Sequence, residues 1–351
     1  MGILYVTEQG AFLTKAGERI VVRKGDKVLR WVKGNEVSQV IIFGNVGLTT
    51  QATAFLLRRG IDVVFLSAGG DYRGRLVTDL GKNVALRKKQ FERFSDRDFG
   101  LALAREFVRG KVENCLALLR NHNRHHQDEE VASAAHRLRR NLLKVEGASS
   151  IEELMGVEGD SARVYFSGFG RCLRGEGFTF TKRTRRPPRD EVNAMLSFGY
   201  TLLSSVVSGA VAVTGLDPYF GSFHSEEYGR QSLVLDLMEE FRPVVVDAVV
   251  LRVVNRKIVT ASDFVRNPES EWLSADDEAE GDGLGPDDFP VLMSYAGRKK
   301  FIQAFEARLR EKLLYIRYGK RLRLRDIIQE QARLLARAVV GEEEYRSYRM
   351  G

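Results

Sequence analysis

The sequence contains very little cysteine. Only Cys115 and Cys172 occur in 351 residues, far apart and outside any metal-ligand spacing. This scarcity excludes a disulfide-stabilised scaffold and argues against a cysteine-ligated zinc site. Both thiols are therefore predicted to be small buried or half-buried apolar side chains in a reducing compartment.

Long apolar runs and an export signal are also lacking. The longest apolar runs, such as Val244–Val254, are interrupted by Asp247 and Arg252, and they fall short of the roughly 20 residues that a spanning helix needs. The first residues, Met1–Leu4, have neither the basic start nor the extended apolar segment of a secretory signal. We therefore expect a cytoplasmic protein that does not enter the membrane, and we find no internal repeat.

Charge is distributed unevenly along the chain. Lys and Arg total 55 against 47 Asp and Glu, a net charge of +8, yet residues 269–288 carry nine acids and no base. Two segments concentrate the bases: Arg171–Arg189 has seven bases and one acid, and Arg298–Arg325 has eleven bases and two acids. Such basic segments are suited to phosphate groups, whereas the acidic stretch is predicted to be a solvated loop.

The hydrophobic pattern predicts two domains. With 44% apolar and 29% charged residues, the chain is typical of a soluble protein and long enough for two cores of unequal size. Residues 1–82 contain short β-prone runs separated by turn-forming pairs such as Ala16-Gly17 and Gly25-Asp26. From residue 83 to 351, apolar residues recur at helical spacing. The predicted class is α+β, with an N-terminal, mainly antiparallel β domain followed by a larger all-α domain.

The elements expected within these domains can be placed individually. Strands are predicted at 3–6, 11–15, 18–23, 27–32, 37–42, 62–66 and 73–77. Helices are predicted at 49–59, 84–94, 98–121, 129–145, 151–169, 191–214, 231–254, 299–311 and 324–339.

Three segments of the helical part carry side chains that hard metal ions prefer. In the first, Glu158 lies between Gly156 and Gly159 in a helical pattern. Glycine costs a helix about 1 kcal/mol relative to alanine, so two glycines around one acid indicate that a backbone or a ligand must approach closely. The alternative is a surface glutamate in a short turn between helices.

The second segment is a loop of residues 216–224 that contains Pro218 and Gly221 and delivers His224 just before a helix. A single histidine at such a place is more often a capping or packed residue than a ligand. Its loop setting among aromatic residues favours a functional role only slightly.

The third segment is an amphipathic helix in which Asp236 and Glu239 are three residues apart and therefore share a face. Acids among so many apolar neighbours are costly unless a cation compensates them. Either a metal ion or an arginine, Arg230 or Arg242, could do so.

Taken together, these segments resemble the CRISPR spacer-acquisition integrase, the adaptation protein shared by most CRISPR systems. The resemblance covers nearly the whole chain, and it is carried by the order and separation of motifs that are weak individually. These motifs are Gly-Asn-Val-Gly-Leu-Thr at 44–49, Gly-Val-Glu-Gly at 156–159, Leu-Asp-Pro at 216–218, the loop with His224, Leu-Asp-Leu-Met-Glu-Glu-Phe-Arg-Pro at 235–243, and Asp247.

The resemblance implies a metal site and a reaction. A Glu, a His and a later acid bind one Mg²⁺ or Mn²⁺ ion in this family, which corresponds here to Glu158, His224 and Glu239, with Asp236 as an auxiliary acid on the same helix. Two carboxylates and one imidazole also suit these ions on chemical grounds. The implied reaction is attack by the 3′-hydroxyl of a captured DNA fragment on a repeat phosphodiester, and the ion would assist it by polarising the phosphate.

The sequence also predicts how DNA is bound. The block of residues 182–189 is expected to be a flexible basic loop that neutralises phosphates without reading bases. The alternative is a solvated loop without a partner. The candidate DNA-binding residues are Lys182, Arg183, Arg185, Arg186 and Arg189.

The resemblance further implies partners. These are double-stranded DNA, a second copy of the chain bound through the β domain, and a small companion adaptation protein of ferredoxin-like fold. Residues 1–82 would then be the dimerisation domain and residues 83–351 the catalytic domain. Two other functions stay open: a stand-alone metal-dependent nuclease of branched or double-stranded DNA, and a non-catalytic DNA-binding scaffold.

Overall fold

The computed structural model describes residues 2–76, 83–184, 187–224, 227–266 and 290–350. The described residues divide into two compact units. The first unit contains residues 2–76 together with Arg266, and the second contains residues 83–265 and 290–350.

The first unit is built from eight strands and one helix. The strands are β1 (Gly2–Val6), β2 (Ala11–Ala16), β3 (Arg19–Lys24), β4 (Lys27–Lys33), β5 (Val37–Phe43), β6 (Val46–Leu48), β7 (Asp62–Leu66) and β8 (Tyr72–Leu76), and the helix is α1 (Thr50–Arg58). Thr49 caps α1, since its hydroxyl accepts a hydrogen bond from the backbone N–H of Ala52. Seven of the strands lie at the predicted places, and β6 was not predicted.

The two four-stranded sheets of this unit are mixed, which corrects the expectation of a mainly antiparallel domain. Their strand orders are β1-β5-β7-β8 and β4-β3-β2-β6. The hairpins β2-β3 and β3-β4 and the pair β7-β8 are antiparallel, but β1-β5, β5-β7 and β2-β6 are parallel. Glycines with positive φ, Gly17 and Gly25, form the two hairpin turns. The turn residues indicate only which neighbouring strands form hairpins. They carry no information on the pairing of strands that are far apart in the sequence.

The second unit is mainly helical, as predicted. Its helices are α2 (Val84–Ser95), α3 (Arg97–Asn123), α4 (Glu129–Gly147), α5 (Ile151–Arg171), α6 (Glu191–Thr214), α7 (Ser232–Met238), α8 (Ala248–Asn255), α9 (Tyr295–Arg310) and α10 (Leu324–Val340). The long helix α3 packs against α4, α5 and the segment that follows α7. Both cysteines are buried and free, in agreement with the sequence prediction.

The single helix predicted over residues 231–254 is wrong. The chain forms α7, then one 3₁₀ turn at Glu239–Phe241, a π-helix at Arg242–Asp247, and α8. Pro243 explains the break, because proline has no N–H to donate and its ring clashes with the carbonyl four residues earlier, that of Glu239. The candidate ligand Glu239 therefore lies where the helix changes its pitch, as functional residues beside π-helical turns often do.

Two small sheets make the second unit less than fully helical. The strands β9 (Phe264–Val265) and β10 (Leu292–Met293) pair antiparallel, and so do β11 (Lys312–Tyr315) and β12 (Lys320–Arg323). These short strands were not predicted, because they have too few residues for a pattern of period two to develop.

Helix α6 is long and apolar enough to cross a membrane by length and composition alone. In the structure it is a core helix: fifteen of its 24 residues are buried, among them Met195, Leu196 and Leu202. It packs against α10 and α7. Core helices of folded proteins pass the same length and composition test, so α6 is explained by burial inside the second unit.

Candidate functional site

A lysine joins the two candidate acids of the site. Glu158 projects from the middle of α5, and Glu239 begins the 3₁₀ turn after α7. The ammonium of Lys111, in α3, contacts Oε1 of Glu158 and lies 2.6 Å from Oε2 of Glu239. Glu158 is therefore a half-buried helical residue that faces the core, and the alternative of a surface glutamate in a turn is wrong.

His224 reaches the same place through a loop that α2 and α7 hold. The side chain of Gln90 in α2 donates to the carbonyls of Asp217 (3.0 Å) and Phe220 (2.9 Å). A Cβ on Gly221 would lie 2.6 Å from Oδ2 of Asp236, so only glycine lets this loop pack on the buried acid. His224 Nε2 is thereby placed 3.8 Å from Oε1 of Glu239.

The carboxylate of Asp236 holds His224 and its loop in place. Its carboxylate is fully buried and accepts backbone N–H bonds from Ser222 (2.7 Å), Phe223 (3.0 Å) and His224 (2.9 Å). The ring nitrogen Nδ1 of His224 lies 2.7 Å from the same carboxylate. An ionised carboxylate can only accept hydrogen bonds, so Nδ1 of His224 carries the proton in its contact with Asp236. The lone pair of the imidazole is then on Nε2, the nitrogen that faces Glu239.

Cations keep Glu239 ionised although it is buried. Burial alone would raise the pKa of this carboxyl, but the nearby charges, chiefly those of Arg242 and Lys111, lower it to about 2. Arg242 makes the closest arginine contact, 3.1 Å from its guanidinium to Oε1 of Glu239. Burial would likewise lower the pKa of the Lys111 ammonium, but Glu239 and Glu158 raise it above its usual value. Arg242 thus provides part of the compensation that the sequence left open between an arginine and a metal.

The donor set suits a hard divalent ion, although no ready-made ligand cluster exists. Within the described ranges, no three His, Cys, Asp or Glu side chains are close enough together to hold a metal. Oε2 of Glu239 is buried, and the Lys111 ammonium 2.6 Å away balances its charge. A buried carboxylate is costly unless a cation compensates it, so the residues fit an oxygen-preferring ion that takes the position of the ammonium.

The glycines around Glu158 do not serve close packing inside the chain. A Cβ on Gly156 or on Gly159 would meet no atom within 4 Å. Gly156 instead lines a surface cavity of about 490 Å³ between α4 and α5, to which Glu158 does not contribute. The expectation that a backbone approaches the acid here is therefore wrong for the described residues, and a ligand remains the other explanation.

We expect Gly159→Ala to raise the free energy of unfolding by about 1 kcal/mol, because alanine favours the helix and meets no neighbour. If the glycine leaves room for DNA, strand joining falls in the same variant. Chemical denaturation and a joining assay measure the two effects. Gly147→Ala, at an equally open position in α4, is the control and should leave joining unchanged. A stability gain without any loss of joining would contradict the ligand explanation.

The acid next to Glu239 has a different function. Glu240 is fully buried and accepts hydrogen bonds from Gln331 (3.0 Å), from the hydroxyl of Tyr345 (3.0 Å) and from the backbone N–H of Tyr348 (2.8 Å). It therefore fastens the segment after α10 to the core beside the site. Burial raises the pKa of Glu240 to about 8, although these three hydrogen bonds lower it.

This raised pKa predicts a pH-dependent stability. Between the ordinary value of 4.5 and about 8, the unfolded chain releases a proton that the folded protein keeps. Stability from Glu240 is thus complete below pH 4.5 and falls as the pH rises to about 8, by at most about 1.4 kcal/mol per pH unit. We expect Glu240→Gln to lack this slope in denaturation curves at pH 5 to 8. Parallel curves for the two proteins would contradict the prediction.

A tyrosine connects the basic loop to the acidic site. Arg242 lies over the ring of Tyr200 at 4.9 Å and Arg183 at 5.5 Å. The hydroxyls of Tyr200 and Tyr165 each donate to Asp247 at 2.7 Å, so two tyrosines hold this buried acid. Neither tyrosine was predicted, since an aromatic residue on a core helix gives no functional signal.

The predicted DNA-binding residues differ in their surroundings. Lys182 and Arg189 are exposed, whereas Arg183 is half-buried and donates to Asn193 (2.8 Å) and Ser197 (3.0 Å) of α6. Arg183 therefore fixes the loop to α6. Arg185 and Arg186 lie outside the described residues. A DNA-binding role for the block stays a prediction.

The carboxy-terminal bases also divide into two groups. Arg298 and Arg308 are buried, and Arg308 donates to the carbonyl of Val244 at 2.8 Å. The bases of the β11-β12 hairpin are exposed instead; they are Lys312, Arg317, Lys320, Arg321 and Arg323. The hairpin thus presents positive charge at the surface, and so do Lys299 and Arg310 of α9.

Lys111 is the site residue that sequence reasoning missed. It follows Phe107 by four residues and precedes Cys115 by four, so it lies on the buried stripe of α3. A charged residue on such a stripe is the signal that could have revealed it.

The described geometry defines a class of protein: an α+β chain whose helical unit brings acids, an imidazole and two cations together beside a basic loop. A sequence model of the family described as CRISPR associated protein Cas1 matches residues 4–280. The relative CRISPR-associated endonuclease Cas1 3 from Thermus thermophilus is 39% identical over 344 residues, which are 97% of this chain and 95% of the relative. The chain therefore belongs to the Cas1 family.

Solved structures have the same fold. A CAS1 protein from Thermotoga maritima superposes with a TM-score of 0.79 at 26% identity, covering 99% of this chain and all of that protein. A casposase bound to integration product superposes with a TM-score of 0.82 at 22% identity, covering 99% of this chain and 93% of the casposase. At that identity the second likeness concerns the fold alone.

Proposed function

We propose that the protein is a divalent-metal-dependent DNA integrase and endonuclease that inserts foreign DNA fragments into a CRISPR array as new spacers. The 3′-hydroxyl of the fragment attacks a repeat phosphodiester and forms a new phosphorus–oxygen bond. The repeat 3′-oxygen leaves and takes up a proton, while the attacking hydroxyl gives one up. One phosphodiester replaces another, so no nucleotide needs to be consumed.

The placement of Glu158 and His224 next to Glu239 carries this proposal. These side chains come from α5, a loop and the turn after α7, up to 81 positions apart in the sequence. Glu158 and Oε2 of Glu239 share the Lys111 ammonium, and Nε2 of His224 lies 3.8 Å from Oε1 of Glu239. Membership of a family with a relative named as an endonuclease supports the same function.

Glu158, His224 and Glu239 are the residues that would hold Mg²⁺ or Mn²⁺. When bound, such an ion polarises a phosphate and lowers the pKa of an attacking hydroxyl. Asp236 fixes the ring of His224, so that Nε2 presents its lone pair to the site. Because that lone pair is used for the ion, His224 is not available as a general base. Arg242 balances the charge of Glu239 and sets its orientation.

The proposed partners follow from the family and from the basic segments. We propose that the protein works in the cytoplasm on double-stranded DNA, both as fragment and as repeat. Exposed Lys182 and Arg189, with Arg185 and Arg186, would neutralise its phosphates. We also propose a homodimer through the first unit and a small companion protein of ferredoxin-like fold, as the sequence resemblance implies.

The experiment that tests the proposal supplies a duplex with free 3′-hydroxyls, a supercoiled plasmid with a repeat array, and Mg²⁺ or Mn²⁺. Joined products are expected, and they should disappear when a chelator removes the metal. Nicks without joining would favour the stand-alone nuclease, in which water replaces the 3′-hydroxyl. A duplex with blocked 3′ ends is the control and should yield no joined product.

The scaffold alternative needs a separate test. If folded Glu158→Ala and His224→Ala variants joined DNA at the parental rate, these side chains would be merely structural and the protein a non-catalytic DNA binder. We expect both variants to bind DNA and to join none of it. Circular dichroism and a filter-binding assay establish folding and DNA binding.

A further inference from the structure

The position of Lys111 has a consequence for how the site accepts its metal. Its ammonium contacts Oε1 of Glu158 and lies 2.6 Å from Oε2 of Glu239. Both are oxygens of proposed metal ligands. We propose that Lys111 is a tethered cation that holds the two carboxylates together in the metal-free protein and is displaced from between them when the divalent ion binds. This inference rests on the proposed function.

Without a cation, the two acids would repel each other strongly. Glu239 has only 4% of its side chain exposed and Glu158 has 21%, so water screens their charges poorly. The ammonium is itself only 10% exposed, and its position between them is the place where a shared positive charge is most favourable. The fold therefore forms this site without metal, with the Lys111 ammonium in contact with both carboxylates.

Lys111 and Arg242 differ in whether a metal ion can displace them from Glu239. Arg242 approaches Oε1 of Glu239, lies over the ring of Tyr200 at 4.9 Å, and is stiff and planar. Lys111 occupies the other oxygen, Oε2, and has a flexible stem of four carbons. An ion that binds Oε2 of Glu239 together with Glu158 must replace the ammonium, whereas Arg242 can stay in place.

The position of Lys111 in its helix supports the same inference. It lies in the interior of α3, on a buried stripe whose other residues are mostly apolar. A buried lysine is retained there at the cost of desolvation, which the two carboxylates offset. The surroundings of Lys111 therefore favour a cation, and the lysine ammonium and the divalent ion compete for this position.

The test measures Mn²⁺ binding by calorimetry and by electron paramagnetic resonance on the full chain after metal removal. Lys111→Met keeps the length of the side chain and removes its charge. We expect its Kd for Mn²⁺ to be at least about tenfold lower than that of the parent, since the ion no longer displaces a cation. Lys89→Met, which removes an exposed lysine paired with Glu92, is the control and should leave the Kd unchanged.

Thermal unfolding provides a second measurement. Without metal, Lys111→Met should unfold at a lower temperature than the parent, and saturating Mn²⁺ should restore more stability to it than to the parent. The double variant Lys111→Met/Glu158→Gln removes one of the repelling charges and should regain metal-free stability. This variant keeps the test valid if the single variant fails to fold.

The outcomes separate this inference from the proposed function. An unchanged Kd and an unchanged Mn²⁺ stabilisation in Lys111→Met would overturn the competition while leaving a metal-binding parent intact. A double variant as unstable as the single one would overturn the repulsion argument. A parent that binds no Mn²⁺ at all would instead remove the metal from the proposed function, and the inference with it.

Discussion

Changing Glu239 to glutamine is expected to lower the rate of strand joining by about 10³-fold or more, equivalent to roughly 4 kcal/mol of transition-state stabilisation. Glutamine keeps the shape of the side chain but removes the charge that Arg242 and Lys111 hold ionised at neutral pH. The proposed ion would then lose the charge of its most deeply buried ligand, the carboxylate that Lys111 and Arg242 contact. Single-turnover joining and Mn²⁺ titration measure the effect.

The neighbouring acid offers a matched control. Glu240→Gln makes the same chemical change one residue later, in a side chain that is equally buried but bonded to Gln331 and the segment after α10. We expect it to join DNA at nearly the parental rate at pH 7. Glu239→Asp, which keeps the charge on a shorter stem, should retain part of the activity. Parental joining by Glu239→Gln would refute the assignment of the ligand.

Asp236→Asn is expected to reduce Mn²⁺ affinity and strand joining by about 10- to 100-fold without Asp236 touching the ion, as is usual for residues that orient a metal ligand. The amide nitrogen must face either the N–H groups of Ser222 and Phe223 or Nδ1 of His224. In the first orientation donors oppose donors and the loop is displaced. In the second, the proton of the imidazole moves to Nε2, and the lone pair no longer faces the site.

A spectroscopic readout separates this orienting role from a purely structural one. Nitrogen NMR of the imidazole should show the Nδ1-protonated form in the parent and its loss in Asp236→Asn. Asp217→Asn is the control, because it lies in the same loop and its side chain accepts only a local bond from Tyr219. Asp236→Ala should cost more stability, about 1–3 kcal/mol for each buried donor left without a partner. Full activity in Asp236→Asn would show that His224 needs no such support.

Much of the fold could be predicted from sequence, because the signals were local. Helix α6 agrees with its predicted bounds at both ends, from its cap at Asp190 to Gly215 with positive φ. The hairpin β2-β3 follows from Ala16-Gly17. The parallel pair β1-β5 could not be predicted, since strands more than 30 residues apart carry no local signal for their pairing.

The candidate site was only partly predictable, for a related reason. Glu158, His224 and Glu239 were named from motif order, but Lys111, which contacts two of them, belongs to no motif. Asp236 and Glu239 were on one predicted helical face and equally placed to bind an ion. The structure gives them different surroundings: Asp236 is contacted by four donors of the His224 loop, whereas Glu239 is contacted by Lys111 and Arg242.

The sequence by itself determined the order of the elements, the α+β class, the basic segments and the acids and imidazole that a hard ion prefers. These features depend on the spacing of apolar residues, on turn-forming residues and on residue type, all of which can be recognised from residues that are neighbours in the sequence. Only the tertiary structure decided the parallel pairing of β1 with β5 and the placement of Lys111 between two carboxylates. Each depends on which distant surfaces meet in a closely packed interior, and packing joins residues that the chain keeps far apart.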